Sequence, residues 1–578
     1  MRITRTLMTG AVIAGLALPM AAQAAEQDVQ QRIDALSKEI ETLKQQTKAH
    51  QDKALEKWLT IGGDYRFRVD SLRGKTVGYT DAFASINNAQ NALQNAVFSG
   101  GNVQVGEALV PLQSHPLSTF MGLAQAMQNT TSYSAAAGMM QQLGTIPEGG
   151  PTLMQQMAGM LMTPTSAGGY AQQVAAHKPK NDLLYTNRLG LDLHAKATQD
   201  VMVNVRLLMY KTFGSSSDNA VTGNYFADRV GVFDGTLGHI PSSDYLNVDR
   251  AYATWSNIAD QPVWFSVGRR PSTNGIPENL RLNTERPGVG GTPALLVDYA
   301  FDGMTVGWAP DIEALPGAYA KVCYGRGFEA GYENPAGNTL HDTDMLGVAV
   351  IPIDTDPFRL HLQWNRGYNI FDFPEMYGST FGDTAPATQL GDIDWFGAGV
   401  LSTLKKVGPG TLNTFAEFGL SVTHPNENVS GQAGFQGLMT GNFMNPEAPS
   451  DKTGWAAYAG ARYDLPSGTK LGFEYNHGSK NWITFAPAAD DMWTAKVGTR
   501  GNVYEGYIIQ ELNLKPISSY FSKTFFKIGY QHYDFDYTGS NNWVGAPQKI
   551  SSLTGNEMQL LAPLKTAQNV YATFEVKF

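Results

Sequence analysis

The sequence predicts an all-β chain, closed into a transmembrane antiparallel β-barrel of about 16–18 strands, with 18 preferred. A short N-terminal α-helical coiled coil precedes the barrel. A large, partly helical extracellular insert follows its first strand. Three observations carry this expectation. The chain ends on a two-faced ribbon. It begins with an export signal. Between the two, alternating segments recur at lengths of about 11 residues, which suit tilted membrane strands.

The ribbon is Val570 to Phe578. Val570, Ala572, Phe574, Val576 and Phe578 share one face, and Tyr571, Thr573, Glu575 and Lys577 share the other, because successive strand side chains point to opposite sides. An oily-faced strand at a carboxyl terminus suits a barrel, where it pairs with the first strand and leaves no edge open. Phe574, Val576 and Phe578 also resemble the C-terminal signal read by the outer-membrane assembly machinery.

At the other end, Arg2 and Arg5 precede an apolar run from Leu7 to Met20, followed by Ala22-Gln23-Ala24. Residues 1–24 read as a secretory signal peptide, since the run is shorter than the ~20 residues of a spanning helix.

Composition narrows the class. The chain has 578 residues, 61 glycines, 11% aromatic residues and a mean hydropathy of -0.24. Barrels look this mild because only alternate residues meet lipid. The single cysteine, Cys323, excludes an internal disulfide framework and a CxxC or CxxCH site. No HExxH, P-loop or GxSxG motif occurs, and His194, His361, His477 and His532 fall in different strands. Neither an enzyme, a metal site nor a cofactor is expected. A net charge of -10 argues against nucleic acid as a partner.

Residues 25–57 carry the coil. Val29, Ile33, Leu36, Ile40 and Leu43 are spaced 4-3-4-3, a heptad seam. It predicts a periplasmic helix and a homo-oligomer, dimer or trimer; a lone helix lying on the barrel mouth is the alternative.

The barrel is expected over 58–578. In its first strand, Leu59 to Asp70, Asp64, Arg66 and Arg68 alternate with Ile61, Tyr65, Phe67 and Val69. The charges are expected to face the lumen and the apolar set to face outer-membrane lipid, with Trp58 at the interface.

Residues 71–183 interrupt the pattern and read as an extracellular cap or a lumen plug, helical over 117–128 and 151–161. Their methionines suit the packing of a helical hairpin, with a soft-metal site as the lesser alternative.

A hairpin follows. Leu189, Leu191 and Leu193 face Val201, Val203 and Val205 across Thr198-Gln199-Asp200, and Arg188, Asp192, His194, Lys196 and Arg206 lie on the lumen side. Short turns should be periplasmic and long loops extracellular.

Further strands follow to the end of the chain, and the sum is odd. Residues 294–301 and 304–309 read as two strands, unless Asp302-Gly303 is a turn inside a longer strand pair or another strand lies in 213–246 or 271–293. Arg269 and Arg270, before Pro271, join Arg281, Glu285 and Arg286 in a segment whose Pro and Gly forbid a regular strand. Folded inward, it would form a constriction for anions; otherwise it is an outer loop held by Arg–Glu pairs.

Several runs resemble a known family. They are Thr186-Asn187-Arg188-Leu189, Asp249-Arg250-Ala251-Tyr252, Trp264 to Thr273, Tyr299 to Thr305, Cys323 to Phe328 and Tyr504-Glu505-Gly506-Tyr507. The resemblance is to an uncharacterised family of exported Gram-negative proteins with an N-terminal coil, catalogued as porin candidates, and it covers 25–70 and 183–578. It implies an outer-membrane barrel and transfers no functional residues.

The expectation is a porin-like channel for small hydrophilic solutes, with a lean toward anions. The alternative is a barrel that sheaths or anchors a partner such as a multihaem cytochrome.

Overall fold

The computed structural model describes residues 58–105, 108–114, 129–143, 161–214, 241, 243–272, 277–284, 295–298, 300–334, 337–379, 382–486, 491–512 and 522–578. The signal peptide, the heptad seam, Glu285 and Arg286 lie outside them.

Sixteen antiparallel strands form a closed barrel in sequence order. They are β1 (Leu59–Thr76), β2 (Lys180–Lys196), β3 (Val201–Thr212), β4 (Ser243–Trp255), β5 (Val263–Pro271), β6 (Ala300–Trp308), β7 (Tyr319–Phe328) and β8 (Thr343–Asp354). The second half is β9 (Arg359–Phe371), β10 (Gln389–Val407), β11 (Gly410–Pro425), β12 (Lys452–Asp464), β13 (Thr469–Gly478), β14 (Gly501–Glu511), β15 (Lys523–Phe535) and β16 (Leu564–Lys577).

β16 closes on β1 with Phe67 opposite Phe574 and Tyr65 opposite Val576. Phe578 exchanges two backbone hydrogen bonds with Gly63, of 2.8 and 3.0 Å. A side chain at Gly63 would collide with the Phe578 ring and the Gly190 carbonyl, so this seam requires glycine there.

The count is sixteen and not the preferred 18. The segments expected as two strands, 294–301 and 304–309, give one, β6 over 300–308, and 295–298 belong to the loop before it. Asp302 and Gly303 pair with Arg269 and Gly268 on one side and with Arg326 and Gly325 on the other. Asp302 lies near the long-loop end of β6, where outward positions have left the apolar belt, so a carboxylate is tolerated there. The same effect lengthens β1 beyond Asp70. Ser71, Arg73 and Lys75 continue the outer face as polar residues, and Leu72 is buried inside. The insert therefore spans 77–179.

The belt is apolar on the outside. Val267, Val306, Val322, Leu362, Phe418 and Ile528 are all exposed. Aromatic side chains rim it, with Trp58, Trp255 and Trp308 near the short turns and Tyr504 and Tyr530 nearer the long loops.

The insert carries helices α1 (Ala82–Phe98) and α2 (Tyr133–Leu143). Asp81 caps α1, its side chain accepting from Ala84 N–H at 2.9 Å. The helix expected over 117–128 lies outside the described residues, and of the one expected over 151–161 only Leu161 is described, as helical. Ala89, Leu93, Ala136 and Met140 pack with Val429 and Phe435 of the β11–β12 loop. Thr80 and Asp81 pair with Met558 and Gln559 of the β15–β16 loop. The described part of the insert thus rests on the long-loop rim.

Candidate functional site: the bore and its inward loops

The inner face of β1–β4 carries a chain of ion pairs. Arg206 bonds Asp192 at 2.6 Å and also pairs with Asp64, while Arg188 reaches Asp64 at 3.4 Å. Asp249, displaced by a register shift in β4, accepts from Arg250 at 3.1 Å and lies 3.8 Å from Arg206. His194 meets Asn204 at 2.6 Å. His194 and Lys196 are exposed near the short-turn mouth. Arg66 and Arg68 also point inward, but each is only 1% exposed. Arg68 pairs with Asp70 at 2.7 Å and lies over the Tyr571 ring, and Arg66 lies over Tyr210. Both are buried against these partners, so they do not meet bore water as the alternation alone implied.

The β5–β6 loop turns inward. Its residues 277–284 are held by basic side chains of the wall. Arg462 donates to Leu280 O at 2.5 Å and Lys527 to Arg281 O at 3.1 Å. Lys577 donates to Leu282 O at 3.0 Å and to Asn283 O at 2.9 Å, and Lys470 reaches Asn283 Oδ1 at 2.7 Å. These cations lie on β12, β13, β15 and β16, across the bore from β5 and β6. The loop therefore crosses the bore, and carbonyls of its turn find charged donors there.

Arg281 does not offer a free guanidinium to solute. It is enclosed by Glu278 at 2.8 Å, Asp491 at 2.8 Å and Glu505 at 3.5 Å, with its side chain 2% exposed. Arg269 and Arg270 are not in the loop, because β5 runs on through Pro271, which takes the last strand position. Arg269 faces outward to Asp302 at 3.6 Å, whereas Arg270 faces the bore.

A second inward loop, 479–500, fills the bore beside β10–β14. Trp482, Ile483 and Phe485 pack with Leu295 and Leu296 of the first loop. The wall beneath is glycine. A Cβ at Gly397 or Gly419 would strike Leu296, and one at Gly454 would strike the backbone of Asn481. Lys496 from this loop lies between Glu474 and Glu505, 2.7 Å from Glu505. Tyr458 and Tyr571 donate to the two carboxylates, each at 2.6 Å. Glu474 and Glu505 occupy inward strand positions, and alternation could have found them. Lys496 carries no such signal.

The bore is thus asymmetric. Side chains of Lys496, Glu474 and Glu505 are each 1% exposed, while those of Asp192 and Arg250 are 31% and 37% exposed. The charged side chains of the β2–β5 wall are thus more exposed than the Lys496 cluster on the β13–β14 wall.

Asp298, on the first loop, lies half-buried near the more exposed wall. Burial pushes its carboxyl up to about 7, with Glu278 and Asp249 adding to the rise and Arg250 and Arg281 opposing it. The carboxylate is neutral below that pH and charged above it. The bore therefore gains negative charge as pH rises through about 7, and any selectivity it has is expected to shift toward cations. Reversal potentials measured across that range should show the shift, and Asp298→Asn should flatten it. The sign for folding agrees: a carboxyl raised in the folded state loses stability as pH rises from the ordinary carboxylate range toward that value.

Comparison with solved structures finds outer-membrane barrels at low identity. OprB of Pseudomonas putida, at high pH, is 9% identical, with 91% of this chain and 95% of that chain covered and a TM-score of 0.38. OmpF of Salmonella typhi, in complex with daunomycin, is 10% identical, covers 70% and 93%, and has a TM-score of 0.35. The in-vitro folded trimer form of OmpT of Vibrio cholerae is 11% identical, covers 70% and 94%, and has a TM-score of 0.32. No curated protein matches the chain. A family model does match residues 178–578, which include the runs quoted above and exclude 25–70. That match covers more than half of the chain, which therefore belongs to the family described as a protein of unknown function (DUF3373).

Proposed function

We propose that this barrel is a channel of the Gram-negative outer membrane that passes small hydrophilic solutes and favours anions. One observation carries the reading. A closed cylinder with an apolar exterior holds a network of charged side chains on one inner wall, partly exposed at Asp192 and Arg250, opposite loops that fill the other. Charge is costly in a dry interior, so a partly exposed network marks the water-filled side. Arg188, Arg206, Arg250 and Arg270 line that side, against Asp64, Asp192 and Asp249. The loop narrows the passage, which suits small solutes. The reading assigns the barrel no catalytic step. The N-terminal coil would sit in the periplasm and join two or three copies, inserted among outer-membrane lipids by the assembly machinery.

The alternative, a sheath around a haem protein, would require the inward loops to leave the bore. Planar-bilayer recording separates the two. The channel reading expects discrete conductance steps from purified protein and a reversal potential of anionic sign in graded KCl. Silent membranes from folded protein would overturn it, and a cation-selective pore would overturn the anion preference.

A further inference from the structure

We infer that the bore contains a subsite for an oxyanion, carboxylate or phosphate, built on Arg270 and Thr305; the inference rests on the channel reading above. Arg250 and Arg270 flank the Ala251–Arg269 pair on the inner face of β4 and β5. Arg270 donates to Ser266 Oγ at 3.4 Å and reaches Cys323 Sγ at 4.0 Å. Among the described residues no carboxylate lies within ion-pair distance of it. It differs in this from Arg188, Arg206, Arg250 and Arg281, each of which faces at least one carboxylate.

The floor beneath Arg270 is small and polar. Thr305 pairs in register with Ser266 on one side and Cys323 on the other, so all three side chains share the inner face. Thr254 donates to Ser266 Oγ at 3.3 Å. Thr305 Oγ1 is buried and has no hydrogen-bond partner. An orphaned hydroxyl under a cation without a carboxylate is an arrangement that an incoming oxygen would complete.

The charge balance agrees. Arg250, Arg270 and Lys321 converge here, and Lys321 Nζ donates to Ser272 O at 3.5 Å where the loop leaves β5. Among the described residues the acids nearby include Asp249, which accepts from Arg250, and Asp298 on the loop. A guanidinium with free N–H groups binds carboxylate or phosphate in a fork, and bore water lets solute reach it.

The test is block of chloride current in planar bilayers by inorganic phosphate and, in a separate arm, by acetate. Wild-type protein should be blocked by at least one. Arg270→Gln should raise the half-blocking concentration about tenfold, the equivalent of one charge-assisted hydrogen bond. Thr305→Val should raise it about threefold, and it reads the same subsite if Arg270→Gln fails to fold. Arg269→Gln, on the outer face, should change nothing. Block by phosphate alone assigns phosphoryl solutes, and block by both admits carboxylates. Open channels that neither anion blocks, or block indifferent to Arg270 and Thr305, would overturn the subsite and leave the channel standing. Absence of conductance would overturn the channel reading itself.

Discussion

Replacing Lys496 by alanine is expected to cost about 3–5 kcal/mol, because it strands buried Glu474 without its cation and leaves Glu505 only the more distant Arg281, at 3.5 Å. Glu474 and Glu505 are both buried in the barrel wall and converge on the Lys496 ammonium. Their tyrosine partners supply hydrogen bonds but no charge, and Arg281 reaches Glu505 alone. The measurement is the denaturant midpoint of the folded barrel in detergent micelles. In a Glu505→Gln background the same replacement should cost distinctly less, since one of the two charges is already gone. Equal losses in both backgrounds would mean that the ammonium acts by packing alone. Release of the 479–500 loop should also enlarge the single-channel conductance, a change that mere destabilisation of the wall would not produce.

A loss of similar size, about 3–5 kcal/mol, is expected for Trp482→Ala. Trp482 is fully buried at the centre of the inward loops, and its indole N–H donates to Val497 O at 2.7 Å. The ring lies over Gly419, so its removal leaves a cavity against bare backbone that neighbouring side chains cannot easily fill. Trp482→Phe should keep most of the packing and lose the hydrogen bond, at about 1 kcal/mol. Denaturant titration of the two variants in the same detergent would separate the terms. An alanine variant as stable as wild type would show that the loops add nothing to the fold.

The alternation of β2, β3 and β16 was legible because lipid outside and polar groups inside impose a period of two. Two departures from the expected strands share an origin. The outer face is apolar only across the bilayer, so strands that extend past it lose their signature. This made Asp302-Gly303 look like a break and ended β1 at Asp70. Arg269 and Arg270 were assigned to a loop on the strength of Pro271, although Pro is tolerated at a strand end. For Arg281 the sequence leaves open an inward constriction or a loop held by Arg–Glu pairs; Glu278 is a local partner, whereas Asp491 and Glu505 come from positions more than two hundred residues away.

By itself, the sequence determined a closed cylinder of two-faced strands, since the period is local and each strand meets the same two environments. Only the tertiary structure decided how the bore is divided. That division depends on Lys and Arg of distant strands meeting loop carbonyls, and on glycines in β10–β12 leaving space for Leu296 and Trp482. These contacts join residues with no local relation in the chain, and no periodicity announces them.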